Sequence, residues 1–131
     1  MSTVDKARRW LALDPDPETR TEIQALIDAD DQVALRARFG ASLQFGTAGL
    51  RGLLGAGPNR MNRVTVSRAT AGLCAWLREQ IPDAGTRGIC VGRDARPKSD
   101  VFQRDVIEVA TAAGIPVWTF DDVVPTPVLA F

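Results

Sequence analysis

Two short apolar segments enclose an amphipathic one between residues 88 and 120. The first, residues 88–91, is apolar at each position, as expected of a strand buried in a parallel sheet. Residues 99–113 repeat apolar side chains at helical spacing and end at Gly114, and residues 116–120 then form a second apolar segment. This order predicts a βαβ unit with a right-handed crossover. We therefore expect an α/β fold, with a mixed, mainly parallel sheet and flanking helices.

The first forty residues predict a different kind of structure, a short helical extension. Thr3 is the expected N-cap of its first helix, Asp16 precedes Pro17 at the start of a second, and a third ends at Gly40. The sequence thus predicts a helical N-terminal extension over 1–40 and an α/β domain over 41–131. Because the outer faces of the extension are charged, we interpret it as a solvated helical cap; packing on the main domain or on a second subunit is the alternative.

Glycine is concentrated in residues 45–52, which read Phe-Gly-Thr-Ala-Gly-Leu-Arg-Gly. Glycines allow a tight turn and a close approach of the backbone to a ligand. The same stretch carries one hydroxyl, on Thr47, and one guanidinium, on Arg51, and both groups bind phosphate well. A phosphate-binding loop and a glycine-rich hairpin that binds nothing are both compatible with this composition.

Further glycines, Gly55 and Gly57, precede Arg60 and add backbone N–H groups and positive charge. The spacing excludes two familiar phosphate loops. A dinucleotide fingerprint beginning at Gly55 would need glycine in place of Arg60, and a P-loop beginning at Gly52 would need lysine in place of Pro58. A phosphate bound here would therefore require another geometry.

The overall composition favours a globular protein of the reducing cytoplasm. The 131 residues contain 16 Lys plus Arg and 16 Asp plus Glu, so no net charge favours nucleic acid or an anionic membrane as a partner. No signal peptide is visible in residues 1–9, and no apolar run reaches membrane-spanning length. Cys74 and Cys90 are predicted to be reduced core thiols, since they lack C-x-x-C spacing. We expect a cytoplasmic location.

Histidine is absent, which removes the commonest metal ligand and general base. The carboxylates Asp94, Asp121 and Asp122 have no spacing that makes them converge, so they are interpreted as structural and no metal site is expected.

A second basic loop follows the strand at residues 88–91. Arg93, Arg96 and Lys98 lie where a helix begins, and with Arg51 they could form a pocket for a sugar phosphate. The alternative, favoured for Arg93 and Asp94, is that these two side chains pair with neighbours and fasten the loop.

Three ordered stretches give the chain a family resemblance. Residues 45–52, followed by Gly-Ala-Gly-Pro-Asn-Arg-Met-Asn at 55–62, closely resemble the N-terminal signature of the α-D-phosphohexomutases. The similarity continues through Val-Gly-Arg-Asp-Ala-Arg at 91–96 and Val-Pro-Thr-Pro at 124–127. Within the family the chain looks most like the phosphoglucomutases and phosphopentomutases, with phosphomannomutases near relatives.

The resemblance implies an intramolecular phosphotransferase that interconverts sugar 1-phosphate and 6-phosphate, with glucose the expected sugar. A phosphoserine would donate its phosphoryl group, and a bisphosphate intermediate would return it from the other position. Arg51 would act as a catalytic residue beside the phosphoserine. The residues expected to bind the substrate or its phosphate would be Thr47, Gly46, Gly49 and Arg96. The family also implies Mg²⁺, with ligands in later domains, and an activator of the glucose 1,6-bisphosphate type.

The family's catalytic serine lies in Thr-x-Ser-His-Asn-Pro, one strand beyond Pro-Thr-Pro, whereas this sequence stops at Phe131. The resemblance therefore implies an incomplete domain I at the N-terminus of a mutase, inactive alone. The alternative is a free-standing module that binds sugar phosphate or another anion, or serves interaction, without catalysis. Because the missing strand would leave a sheet edge open, we also expect dimerisation or strand exchange.

Overall fold

The computed structural model describes residues 1–131 and divides them into two compact units, Met1–Thr65 and Val66–Phe131. These units are defined by contacts within the chain. They do not test the predicted division into a helical extension, 1–40, and an α/β domain, 41–131, which stays a prediction. No helix combines the length and apolarity needed to cross a bilayer. In chain order the elements are α1 Thr3–Leu13, α2 Pro17–Asp28, α3 Gln32–Phe39, β1 Phe45–Gly46, β2 Gly49–Leu50, α4 Arg63–Gln80, α5 Ala84–Arg87, β3 Ile89–Val91, α6 Ser99–Ala112, β4 Val117–Thr119 and α7 Thr126–Ala130.

The helices of the first unit begin at side-chain caps. Ser2, not Thr3, caps α1: its hydroxyl accepts a hydrogen bond from Asp5 N (3.1 Å), and the Asp5 carboxylate accepts one from Ser2 N (3.1 Å). This reciprocal pair satisfies two amides and moves the start one residue earlier than predicted. The predicted start of α2 is confirmed, since Asp16 accepts from Glu18 N and Pro17 occupies the first turn.

A helical core fills the first unit. Trp10 and Phe39 meet edge to face, with ring centroids 6.0 Å apart and planes at 82°. Ala56, from the loop after β2, is fully buried in the same cluster. The interpretation of residues 1–40 as a solvated cap is therefore incomplete, because their apolar faces also enclose a residue from beyond α3. The other buried members of the cluster are Ala7, Ile23 and Leu35.

The second unit contains the predicted βαβ order. Strands β3 and β4 are parallel, with Ile89 opposite Val117 and Val91 opposite Thr119, and α6 connects them. A mainly parallel sheet is not confirmed. The four strands form two separate pairs, and the other pair, β1 with β2, is antiparallel.

Three apolar side chains are exposed: two on α4, and Cys90, which was predicted to be a core thiol. On α4 the buried positions are Val66, Thr70 and Cys74, so Leu73 and Trp76 lie on other faces and are 49% and 56% exposed. Thr70 is tolerated inside because its hydroxyl donates to the Val66 carbonyl oxygen, 2.8 Å away.

Cys90 is the third, and its exposure follows from strand alternation. It lies opposite Trp118, which is 65% exposed, whereas Ile89 and Val117 on the other sheet face pack against the core. Of the two cysteines only Cys74 is a buried thiol, and burial raises its pKa. Both cysteines are free thiols.

Candidate functional site

The stretch at residues 45–52 folds as a short β-hairpin. Phe45 pairs with Leu50 and Gly46 with Gly49, which leaves Thr47 and Ala48 in the turn. Gly49 has a φ of +93°, a conformation that side chains with a Cβ rarely adopt. Of the two structures compatible with the sequence, a loop and a glycine-rich hairpin, the backbone here forms the hairpin.

The hairpin nevertheless offers free polar groups. Phe45 is 71% exposed, and Thr47 and Arg51 are exposed as well. Neither the Thr47 hydroxyl nor the Arg51 guanidinium has a hydrogen-bond or ion-pair partner within the chain. An exposed guanidinium beside glycine backbone can bind an anion without first breaking an internal contact.

Residues 55–62, here named the anchor loop, do not offer the free N–H groups expected from sequence. Gly55 N donates to the Met61 carbonyl oxygen, Ala56 N to the Glu22 carboxylate and Asn59 N to the Arg38 carbonyl oxygen. These amides are already satisfied inside the protein, so the loop is a structural element rather than a phosphate cradle.

Asn62 organises the anchor loop and the start of α4. Its side-chain amide donates to the carbonyl oxygens of Gly55 and Gly57, each at 2.8 Å, and its Oδ1 accepts from Thr65 N at 2.9 Å. Asn62 therefore acts as the N-cap of α4. Asn62 is only 4% exposed. Its contacts to the loop carbonyls are a role that the sequence did not reveal.

The second candidate region is a cleft of about 310 Å³ at the C-terminal end of β3. Ligands commonly collect at this end of parallel strands. The Val124 amide donates to the Arg93 carbonyl oxygen (2.9 Å), which joins the loop after β3 to the segment before α7. The lining residues include Arg93, Asp94, Arg96, Ser99, Gln103 and Thr126 among apolar side chains.

Asp94 fastens this loop, as predicted, and its partners are Arg96 and Ser99. One carboxylate oxygen accepts from Ser99 Oγ (2.7 Å) and Arg96 N (3.1 Å), and the other accepts from Arg96 Nε (2.7 Å). The hydrogen bond from Ser99, followed by that from the Arg96 amide, lowers the pKa of Asp94. The predicted pairing of Arg93 is wrong, since its guanidinium has no partner within the chain.

Arg96 therefore has a structural contact and remains accessible. Its side chain is 85% exposed, and of the guanidinium nitrogens only Nε contacts Asp94. Ser99 was not singled out from sequence. The available signal was Asp94 itself, because a loop aspartate commonly accepts from the backbone amide two positions on, here that of Arg96.

The carboxylates do not assemble a metal site. No group of three or more His, Cys, Asp or Glu side chains is arranged to hold an ion. Asp121 and Asp122 are exposed, and Asp94 is bound to Ser99 and Arg96. Because the family resemblance implies Mg²⁺ ligands in later domains, the expected Mg²⁺ stays a prediction.

The predicted site residues fall into two groups. Gly46, Thr47, Gly49 and Arg51 lie together at the hairpin in the unit Met1–Thr65. Arg96 lies in the unit Val66–Phe131, on the rim of the cleft.

A family model described as phosphoglucomutase/phosphomannomutase, alpha/beta/alpha domain I, matches residues 42–131, which include both groups. The chain belongs to this family. It therefore contains a phosphomutase-type domain. The resemblance to the phosphohexomutases noted from the sequence is confirmed. No solved structure gave a significant match.

Curated relatives extend the similarity over most of the chain. Phosphopentomutase from Mus musculus is 39% identical over 129 residues, 94% of this chain. A probable phosphoribomutase from Schizosaccharomyces pombe is 38% identical over 122 residues, 93% of this chain. Glucose 1,6-bisphosphate synthase from Mus musculus is 34% identical over 129 residues, 94% of this chain. The chain spans 21% of the length of each of these relatives.

Proposed function

We propose that this phosphomutase-type domain supplies the Arg51 side of a phosphoryl-transfer site in an enzyme that interconverts sugar phosphates. The observation that carries the proposal is the hairpin of residues 45–50, which leaves Thr47 and Arg51 exposed and without partners. Arg96, in the other unit, is proposed as a separate phosphate-binding group on the loop after β3. Gly46 and Gly49 would shape the turn beside Thr47 and Arg51. Because phosphoryl transfer depends mainly on positioning and electrostatic stabilisation, these groups suit a supporting role around the reacting phosphate.

The roles proposed for this chain involve binding and charge. The Arg51 guanidinium would bind phosphate oxygens, and the Thr47 hydroxyl would donate a hydrogen bond to the same anion. The family resemblance implies a Mg²⁺ ion whose ligands lie in later domains, and no group of carboxylates in this chain is arranged to hold it. A phosphoserine from outside the matched segment would be the phosphoryl donor, and a sugar bisphosphate would be the activator and intermediate.

For the substrate we propose a pentose or hexose phosphate, rather than glucose alone. The supporting relatives are named phosphopentomutase, phosphoribomutase and glucose 1,6-bisphosphate synthase. Each name refers to a phosphorylated sugar, a pentose in the first two and glucose in the third. Ribose and glucose phosphates are therefore the pair to compare.

A chimera tests this function. The 131-residue chain replaces the matching segment of mouse phosphopentomutase, and ribose 1-phosphate and glucose 1-phosphate are assayed. We expect turnover of at least one substrate, and an Arg51→Lys chimera should lose on the order of a hundredfold in kcat/KM, because lysine cannot bind phosphate oxygens with a planar fork.

The matched control is Arg20→Lys, an exposed arginine of α2 that should leave kcat/KM unchanged. An active chimera with equal kcat/KM for both variants would contradict the role of Arg51. A folded chimera that is inactive on both sugars, beside an active unmodified relative, would contradict the proposed function. Inorganic phosphate binding by such an inactive protein would favour the anion-binding module instead.

A further inference from the structure

The hairpin is fastened at both ends to the anchor loop. Before the hairpin, Leu43 N donates to the Pro58 carbonyl oxygen at 2.9 Å. After it, Met61 N donates to the Leu53 carbonyl oxygen at 2.8 Å. The position of the hairpin therefore depends on the contacts that hold the anchor loop.

The anchor loop is held by Glu22, a residue of α2. Oε2 of Glu22 accepts a hydrogen bond from Ala56 N at 3.0 Å, and Oε1 accepts one from Arg38 Nε at 2.7 Å. A single carboxylate thus joins α2, α3 and the loop. The Ala56 methyl lies fully buried in the helical core, so the amide that contacts Glu22 is at the point where the loop enters that core.

This contact differs from an ordinary surface ion pair. The Glu22 and Arg38 side chains are 30% and 22% exposed, and the carboxylate also accepts from a backbone amide. Hydrogen bonds to a charged, partly buried group are stronger than neutral ones, and their loss leaves a buried donor unsatisfied.

The loop has little freedom to adapt in another way. Gly57 has a φ of +98°, and a Cβ there would lie 2.9 Å from the Arg38 carbonyl oxygen. The loop backbone therefore runs against α3. On its other side Asn62 holds the carbonyl oxygens of Gly55 and Gly57.

We propose that Glu22 is a positioning residue for the hairpin that carries Thr47 and Arg51. Its carboxylate transmits the position of the helices α2 and α3 to the anchor loop, and the loop transmits it to both ends of the hairpin. The helical segment before residue 40 thus serves as the support of the phosphate-facing hairpin. The consequence for phosphate affinity rests on the proposed function, whereas the consequence for hairpin order does not.

Amide hydrogen exchange and phosphate binding in the 131-residue chain test the proposal. In Glu22→Ala, the amides of residues 45–50 should exchange about ten- to a hundredfold faster, the factor expected for losing a hydrogen bond to a charged group. Inorganic phosphate should bind more weakly by a similar factor, since a less populated hairpin lowers the apparent affinity. Glu22→Gln keeps an acceptor for Ala56 N and should restore part of both losses.

Gln24→Ala is the control, because Gln24 lies on the same helix, is exposed and hydrogen-bonds Asp28 at the surface. This variant should show the same hairpin amide exchange and the same phosphate affinity as the unaltered chain. Unchanged hairpin exchange in folded Glu22→Ala would overturn the proposal, and so would equal acceleration in α1, which would indicate general loosening. If Glu22→Ala fails to fold, the same comparison in Glu22→Gln decides. Absence of phosphate binding by the unaltered chain would count against the proposed function, while hairpin exchange would still decide the role of Glu22.

Discussion

At the scale of single residues, identical side-chain types have opposite roles in this chain. The Arg38 guanidinium contacts Glu22 inside the first unit, and Arg96 contacts Asp94 through Nε, whereas Arg51 has no partner. An arginine held by a carboxylate contributes to local structure, while an unpaired exposed arginine can bind an anion without losing a contact. The proposed assignment of Arg51 to phosphate depends on this difference.

The loop after β3 has a pH dependence set by Asp94. Because its pKa is lowered in the folded state, the ionised carboxylate stabilises the loop at pH above the ordinary aspartate range. That contribution is lost as pH falls through the lowered pKa. We predict that Ser99→Ala raises the Asp94 pKa towards its ordinary value, since the Ser99 hydroxyl is the largest cause of the shift.

Carboxyl-carbon chemical shifts of Asp94, followed by NMR over an acid titration, measure this effect. The variant should titrate at higher pH than the unaltered chain, and its Arg96 amide should lose exchange protection at that higher pH. Equal titration midpoints in the two proteins would show that the bond from Ser99 is not made in solution.

At the scale of elements, the helices follow local sequence rules more closely than the strands do. Capping by Asp16 and Asn62 can be recognised because both the cap and its partner amide lie within four residues. The strands have only two or three residues each, too few for an alternating pattern to define their ends. This is why the sequence of residues 45–52 is compatible with either a loop or a hairpin and does not define the ends of β1 and β2.

Two glycines provide an element-scale test with opposite outcomes. Gly57→Ala should destabilise the protein by about 1–3 kcal/mol, because φ is +98° and the new Cβ would crowd the Arg38 carbonyl oxygen. Gly72→Ala, at an exposed position of α4 with nothing near the added Cβ, should stabilise it by about 0.5–1 kcal/mol. Urea unfolding followed by circular dichroism compares them, and the same sign for both changes would refute the structural account of Gly57.

At the scale of the whole molecule, the sheet formed by β3 and β4 is open to solvent on one face. It has two strands, and one of its faces presents Cys90 and Trp118 to solvent. Parallel sheets are normally covered on both faces, and open strand edges pair readily with other chains. These observations support the expectation that the isolated chain dimerises or exchanges strands, which stays a prediction.

Light scattering over a range of protein concentrations measures that association. We expect the average mass to rise with concentration, and Trp118→Lys should reduce the rise by placing a charge on the open sheet. Trp76→Lys is the control, since Trp76 is comparably exposed but lies on α4. A strictly monomeric chain at high concentration would contradict the prediction, and equal effects of the two lysines would remove the sheet as its cause.

The sequence by itself determined the family, the α/β class, the order of the βαβ unit and most helix starts. These features depend on residues that are close in the chain: three ordered motifs, helical spacing and caps beside their helices. The named hairpin residues, including Thr47 and Arg51, could likewise be found from one local stretch.

Only the tertiary structure decided which polar groups are already satisfied. It showed that the amides of Gly55, Ala56 and Asn59 in the anchor loop are hydrogen-bonded and that Ala56 N donates to Glu22. It also showed that Cys90 and Trp76 are exposed. The contact between Glu22 and Ala56 joins residues 34 positions apart. Local patterns do not specify such pairings, because long-range packing determines which faces meet and which backbone groups find partners.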